Sequence, residues 1–170
     1  MVIEVREQLT ALHTRLAHCD QEIACHAHTH PGAKRMKEIT GIGTLTASAA
    51  AATVVDAKGF RCGRQFVAWL GLVPRQMSSG GKTRLGRISR RGDAYLRSLL
   101  VQGAKSALQA ALRQPPEKAN RLQRWIVDVY GRVGYHKTLV AIANKHARMI
   151  WAMLAKDEGY DPSAWQRLSR

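Results

Sequence analysis

The chain has 170 residues, a length that suits one ordinary domain with a small addition, or two very small domains. Lys and Arg number 27 against 12 Asp and Glu, so the formal net charge is +15, and 45% of the residues are hydrophobic. This composition excludes a solvated basic tail and favours a folded protein whose partner is a polyanion, either a nucleic acid or an acidic membrane surface.

The basic excess is concentrated in the middle of the chain. Residues 1–30 have a net charge of −2, residues 31–113 a net charge of +12, and residues 114–170 a net charge of +5. We therefore expect a polyanion to contact residues 31–113. The chain has no apolar run long enough to span a membrane, and acidic residues stand where a signal peptide would be basic. Together with an odd number of cysteines, three, this predicts a soluble, intracellular protein.

The first 30 residues show a heptad pattern. Apolar residues alternate at spacings of three and four, which is the a/d pattern of a coiled coil: Val2, Val5, Leu9, Leu12, Leu16, Cys19 and Ile23. Three heptads make a marginal coiled coil, so two interpretations stay open. The helix either packs against its own domain or pairs with a second helix.

A tract rich in cysteine and histidine, residues 25–30, follows the heptads and ends at Pro31-Gly32. Such tracts can bind zinc. However, histidines two residues apart do not share a helical face, and no second ligand cluster follows. We therefore interpret this tract as a polar helix end and predict no metal site.

The segment 36–50 resembles a helix-hairpin-helix. The turn Gly41-Ile42-Gly43 precedes an alanine-rich helix, and its glycines permit a tight turn. Amides at the start of the second helix can face a phosphate, so Gly41 and Gly43 are candidate DNA-binding residues. The alternative is a plain connection between two helices with no ligand.

The remaining segments predict further helices and one irregular region. A short buried helix contains Phe60, Phe66, Trp69 and Leu70, and a glycine-rich basic loop spans residues 74–93. A long helix begins near Ala94 and ends at Gln114-Pro115-Pro116, with one apolar stripe: Leu96, Leu99, Leu100, Ala104, Ala107, Leu108 and Ala111.

Two more helices are predicted in the last third of the chain. One runs through Leu122 to Val129, and one runs from about Lys137 to Lys156 and buries Leu139, Ala143, Ala147, Ile150, Trp151 and Leu154. Asn144, Lys145 and Arg148 lie together on another side of that helix. Since no segment alternates with a period of two, the predicted fold class is all-α.

The basic loop contains two serines, Ser78 and Ser79, among cations. Residues 74–97 hold seven bases and one acid, Asp93. A phosphate-binding P-loop is excluded because Gln76 stands where that motif needs its first glycine. An exposed serine among guanidinium groups suits nucleophilic attack on a phosphate, although no histidine nearby in sequence can accept its proton. The alternative is a loop that binds phosphate without chemistry.

Three motifs of this region resemble one family of proteins. They are FVAWLGLVPRQ at 66–76, SSGGK at 78–82 and ISRRGDAYLR at 88–97, supported by ITGIG at 39–43 and NKHARMIW at 144–151. In this order they resemble the C-terminal domain of the IS110/IS116/IS902 family of insertion-sequence transposases, which includes the Piv-type DNA invertases. The similarity covers about residues 34–156.

The resemblance implies a catalytic serine and a set of DNA contacts. In the family the serine before the glycine pair attacks a phosphodiester and becomes joined to DNA, which here would be Ser79, with Ser78 as the less favoured candidate. Side chains that would hold the DNA phosphates are Arg75, Lys82, Arg84, Arg87, Arg90 and Arg91. The family's RuvC-like domain carries four acids that bind Mg²⁺, and we predict no cofactor in this chain because it lacks that constellation.

The resemblance also sets the predicted organisation and partners. We expect a coiled-coil-like helix at 1–30, a helical domain at 31–156 and a tail at 157–170, from a truncated reading frame or half of a split transposase that is inactive alone. Predicted partners are DNA, a guide RNA, and a second copy of the chain or a RuvC-like partner half. The alternatives are a nucleic-acid-binding module without catalysis and a dimerising regulator of full-length transposases.

Overall fold

The computed structural model describes residues 2–77 and 84–161, and these residues are mostly helical. Their seven α-helices are α1 (Val2–Thr29), α2 (Pro31–Met36), α3 (Thr44–Thr53), α4 (Gly63–Trp69), α5 (Ala94–Arg113), α6 (Arg121–Val133) and α7 (Tyr135–Lys156). A 3-10 turn at Ala57–Gly59 and two short strands, β1 (Pro74–Gln76) and β2 (Leu85–Ile88), complete the described elements. The predicted all-α class is confirmed. No helix in the described ranges is long and apolar enough to cross a membrane.

Helix α1 contacts the rest of the fold only near its C-terminal end. Residues 3–22 are all exposed, which corresponds to about 30 Å of helix. Ala27 is fully buried, and the Nδ1 atom of His26 lies 2.8 Å from the hydroxyl oxygen of Ser48 in α3. The predicted helix is therefore present, and its seam from Val5 to Cys19 does not pack on its own domain, whereas Ile23 is half-buried.

The cysteine- and histidine-rich tract forms the end of α1, as predicted, and begins α2. His30 is the N-cap of α2, where its Nδ1 atom accepts a hydrogen bond from the amide of Ala33 at 3.3 Å. Within the described parts of the chain, no three His, Cys, Asp or Glu side chains converge as metal ligands would.

Helices α5 and α7 form the centre of the hydrophobic core. Asp93 caps α5, and the helix stops at Gln114 because Pro115 and Pro116 cannot continue it. The predicted apolar stripe is buried with one exception, Leu99, which is half-buried. Gly103 in this stripe allows the Gly41 turn to approach the helix backbone closely.

The buried face of α7 agrees with the prediction at Leu139, Ala143, Ala147 and Ile150 and differs from it elsewhere. Trp151 and Leu154 are only half-buried, whereas Ile142, His146 and Met153 are buried. The buried positions keep helical spacing with His146 among them, a residue that the predicted apolar set did not include.

The region 74–93 is more regular than predicted, since β1 and β2 pair as an antiparallel ribbon. Pro74 faces Ile88 and Gln76 faces Leu85, with an irregularity in register between the two pairs. Every residue of the ribbon except Ile88 is exposed, so the period-two burial that reveals a strand in a sequence is missing. A second correction concerns Trp69, which is 38% exposed rather than buried.

Candidate nucleic-acid interface

The β1–β2 ribbon flanks, in the sequence, the segment that contains the candidate serines. The amide of Met77 donates a hydrogen bond to the carbonyl oxygen of Arg84 at 2.9 Å, which brings residues 77 and 84 together. The six residues between them, among them Ser78, Ser79 and Lys82, lie outside the described residues. The structure therefore positions the two ends of this segment, and the roles of the three side chains stay predictions.

Five arginines are gathered on the ribbon and on the turn that follows it. They are all exposed: Arg75, Arg84, Arg87, Arg90 and Arg91. The guanidinium of Arg75 donates to the carbonyl oxygen of Ser89 at 3.2 Å. None of the ion pairs found between described residues involves any of the five. These guanidinium groups are thus available to an anionic ligand.

The turn at residues 89–92 is locked against the end of α4. The amide of Ser89 donates to the carbonyl of Val73 at 2.8 Å, and the amide of Arg90 donates to that of Gly71 at 3.1 Å. Arg90 has a φ of +55°, a left-handed conformation that costs a non-glycine residue about 1 kcal/mol or more. The two hydrogen bonds hold this conformation, so the arginines extend from a fixed backbone.

Asp93 and Arg97, the acid and the last base of this region, have structural roles. The Oδ1 atom of Asp93 accepts a hydrogen bond from the amide of Leu96 at 2.8 Å and so caps α5. The guanidinium of Arg97 donates to the carbonyl of Leu70 at 3.0 Å, which ties α5 to the end of α4. The contact of Arg97 depends on the tertiary fold, so the sequence could not predict it.

The two glycines of the predicted helix-hairpin-helix have different surroundings. Gly41 has a φ of +94°, and a side chain there would overlap the carbonyl oxygen of Gly103, so this glycine serves packing. Gly43 is exposed at the N-terminus of α3, and an added Cβ would meet no atom within 4 Å. Gly103 lies about 14 Å along α5 from Ala94, so the structure does not join this turn to the arginine cluster. Phosphate binding at Gly41 and Gly43 stays a prediction.

His146 is a buried residue that sequence reasoning missed. Its ring is fully buried beneath the Gly41 turn, and a Cβ added to Gly41 would lie 3.1 Å from the Cε1 atom of His146. Neither ring nitrogen has a hydrogen-bond partner among the described residues. Burial lowers the pKa of His146 to about 4, because an imidazolium ion would lose its hydration there.

This burial predicts a stability that falls in mild acid. The unfolded chain takes up a proton on His146 near pH 6.5, whereas the folded chain does so only near pH 4. The neutral state of His146 therefore contributes about 3 kcal/mol to the free energy of unfolding. This contribution is fully present above pH 6.5 and is lost as the pH falls towards 4. Urea denaturation of the wild type and of His146→Met at pH 7.0 and 4.5 measures it. If both proteins lost the same stability between these values, the assignment to His146 would be wrong.

Comparison with known proteins places the chain in one family. A family model described as the Transposase IS116/IS110/IS902 family matches residues 33–120, just over half of the chain. A protein named "Probable family 20 transposase", from Pseudomonas aeruginosa, is 43% identical over 159 residues, which cover 94% of this chain and 46% of that protein. The chain therefore belongs to the Transposase IS116/IS110/IS902 family.

Two other relatives agree with this assignment. The transposase for insertion sequence element IS1111A of Coxiella burnetii is 37% identical over 163 residues, covering 92% of this chain and 44% of the relative. The transposase for insertion sequence element IS1328 of Yersinia enterocolitica is 40% identical over 152 residues, which cover 85% of this chain and 44% of the relative. The chain thus spans less than half the length of each of these curated relatives.

Proposed function

We propose that this chain is the DNA-contacting, serine-bearing part of an insertion-sequence transposase. The observation that supports this most directly is the cluster of five exposed arginines beside the segment that contains Ser79. Guanidinium groups bind phosphate through paired hydrogen bonds and keep their charge at any physiological pH. In the proposal, Arg75, Arg84, Arg87, Arg90 and Arg91, together with Lys82, hold the phosphates of a DNA backbone.

Ser79 is the proposed nucleophile of the reaction. Its oxygen attacks a phosphorus atom of the DNA backbone, a phosphoserine bond forms, and a sugar hydroxyl leaves as the strand breaks. The arginines stabilise the negative charge that builds up on the attacked phosphate. In this proposal Mg²⁺ binds only to the RuvC-like domain that the family resemblance implies. A guide RNA binds to the assembled transposase.

The DNA-binding part of this proposal is tested with charge-neutralising substitutions on β2 and beside it. The double variant Arg84→Gln/Arg87→Gln is expected to bind a labelled DNA duplex about tenfold more weakly at low salt, because two phosphate contacts are lost. The slope of log K against log salt should fall by about two. Fluorescence anisotropy between 50 and 200 mM salt, roughly the range over which such contacts are screened, measures both quantities.

The matched control removes two positive charges elsewhere. Arg132, which pairs with Asp128 at 2.8 Å on α6, and the exposed Lys137 on α7 are both replaced by glutamine. If the control weakened binding as much as the ribbon variant did, net charge alone would explain the affinity. The ribbon would then have no special part in DNA binding.

The exposed seam of α1 supports a second role, pairing with another helix. Leu9, Leu12 and Leu16 are 51%, 52% and 61% exposed, and solvent-exposed leucines at heptad positions favour a helical partner. We propose a second copy of the chain as that partner. The same helix could pair with a full-length transposase and so regulate it.

Sedimentation of the chain should show a dimer, which Leu12→Glu converts to an 18.8 kDa monomer. The control is Thr14→Glu, an exposed position on the face of α1 opposite the seam. A wild-type monomer at all concentrations would contradict the role.

A further inference from the structure

The segment 144–148 of α7 takes no part in the ribbon, yet it carries a second group of cations. The ammonium of Lys145 lies 3.8 Å from the centroid of the Trp125 ring on α6. Lys145 and Trp125 are both half-buried, and Trp125 packs against the hydrophobic core. The ammonium is therefore held over a fixed aromatic surface, and this contact limits the freedom of the lysine side chain.

Two exposed arginines surround this lysine. Arg148 lies one turn further along α7, and Arg121 begins α6 four residues before Trp125. Burial, and after it the positive charges of Arg148 and Arg121, lower the pKa of Lys145 to about 8. Lys145 and Arg148 are three residues apart on α7, and Arg121 is four residues from Trp125, over which Lys145 lies, so the three cations occupy adjoining faces of α6 and α7. The ion pairs found between described residues do not include Arg121 or Arg148.

Convergence of three like charges is unfavourable in the free protein and becomes favourable when an anion binds between them. Cations on a merely solvated face extend into water and separate, as long side chains on a surface do. Here α6 and α7 bring the three together from two helices. The arrangement fits an oxyanion with several acceptor atoms, such as a phosphate.

The position of this group relative to the ribbon suggests which phosphate it would hold. A Cβ added to Gly63, at the start of α4, would lie 3.4 Å from the Cγ atom of Arg148. The other end of α4 meets the turn of Arg91, where a Cβ on Gly92 would overlap the carbonyl oxygen of Trp69. Helix α4 is about 9 Å long between these points, which corresponds to about three base-pair steps along the axis of a DNA duplex.

We propose that Arg121, Lys145 and Arg148 form a second phosphate-binding site, which holds the nucleic-acid backbone a few nucleotides from the ribbon. This inference rests on the proposed function, since it extends the same polynucleotide from the ribbon across α4. The ligand chemistry is the phosphodiester group, which DNA and RNA share. An acidic protein would be a different partner and is treated as an outcome of the test.

The test measures binding of a labelled 20-base-pair DNA duplex to the full chain by fluorescence anisotropy. Arg121→Gln and Arg148→Gln are each expected to weaken binding about three- to tenfold and to lower the salt slope by about one. Arg132→Gln, an exposed and ion-paired arginine on the same helix as Arg121, is the matched control and should change neither. Lys145→Arg should bind DNA as the wild type does, because the positive charge is kept. Lys145→Met should weaken binding about as much as the two arginine variants do. Thermal denaturation of every variant identifies any that fail to fold.

The outcomes separate this inference from the proposed function. The ribbon variant could weaken binding while Arg121→Gln and Arg148→Gln behave like Arg132→Gln. In that case the proposal of a second site is wrong and the proposal for the ribbon stands. If only the α6 and α7 variants weaken binding, the second site stands and the ribbon proposal fails. Binding of poly-glutamate that depends on Arg148, with DNA binding unchanged, would also overturn the proposal. The same variants are measured in parallel with a single-stranded RNA. The polynucleotide whose affinity falls more in Arg121→Gln and Arg148→Gln is the one that occupies the site.

Discussion

Replacement of Gly92 by alanine is expected to destabilise the fold by about 3 kcal/mol or more. Gly92 has a φ of +98°, which a residue with a side chain rarely adopts. A Cβ at this position would also overlap the carbonyl oxygen of Trp69, which belongs to the backbone and cannot turn away as a flexible side chain can. Both effects act at the junction where the arginine-bearing turn meets α4, so the substitution should separate these elements.

Urea denaturation followed by circular dichroism measures this loss as a lower midpoint. The matched control is Gly131→Ala, because Gly131 is an exposed residue inside α6 where an added Cβ would meet no atom within 4 Å. Alanine has the higher helix propensity, so the control should be stabilised by about 0.5–1 kcal/mol. Equal midpoints for Gly92→Ala and the wild type would show that the close contact with Trp69 is absent in solution.

The contrast between these two glycines shows what could be predicted from the sequence and what could not. The helix α5 was predictable because its apolar residues follow a helical period and two prolines end it. The role of Gly92 was not, because it depends on the approach of a carbonyl more than twenty residues earlier in the chain. Local patterns predict elements, whereas the contacts between elements depend on the packing of the whole fold.

The ribbon and the α7 face illustrate the same limit at the candidate site. The ribbon has no buried face, so its strands carry no alternation that would distinguish them from a loop. His146 was missed because a titratable side chain is rarely placed in a core without a hydrogen-bond partner. The arginines of the site were predictable from charge and motif alone, yet the sequence could not show that Arg97 is used internally.

The other large effect is expected at Ser79, where Ser79→Ala should abolish the covalent complex with DNA. The proposed phosphoserine bond requires the oxygen of the serine side chain, and alanine has none. Nicked element-end DNA is incubated with the chain, a RuvC-like half and a guide RNA, and complexes that resist SDS are counted. Removal of a nucleophile typically reduces rates by several orders of magnitude, so the expected result is no detectable complex.

The control for this experiment is Ser78→Ala, which should leave both the covalent complex and DNA binding unchanged. DNA affinity of the Ser79→Ala protein should also equal that of the wild type, because phosphate contacts and not the serine determine the affinity. This pairing separates catalysis from binding. A covalent complex that persists in Ser79→Ala and disappears in Ser78→Ala would move the nucleophile to Ser78. The absence of any covalent complex in the wild type, with salt-sensitive DNA binding intact, would show that the five arginines serve a binding module without chemistry.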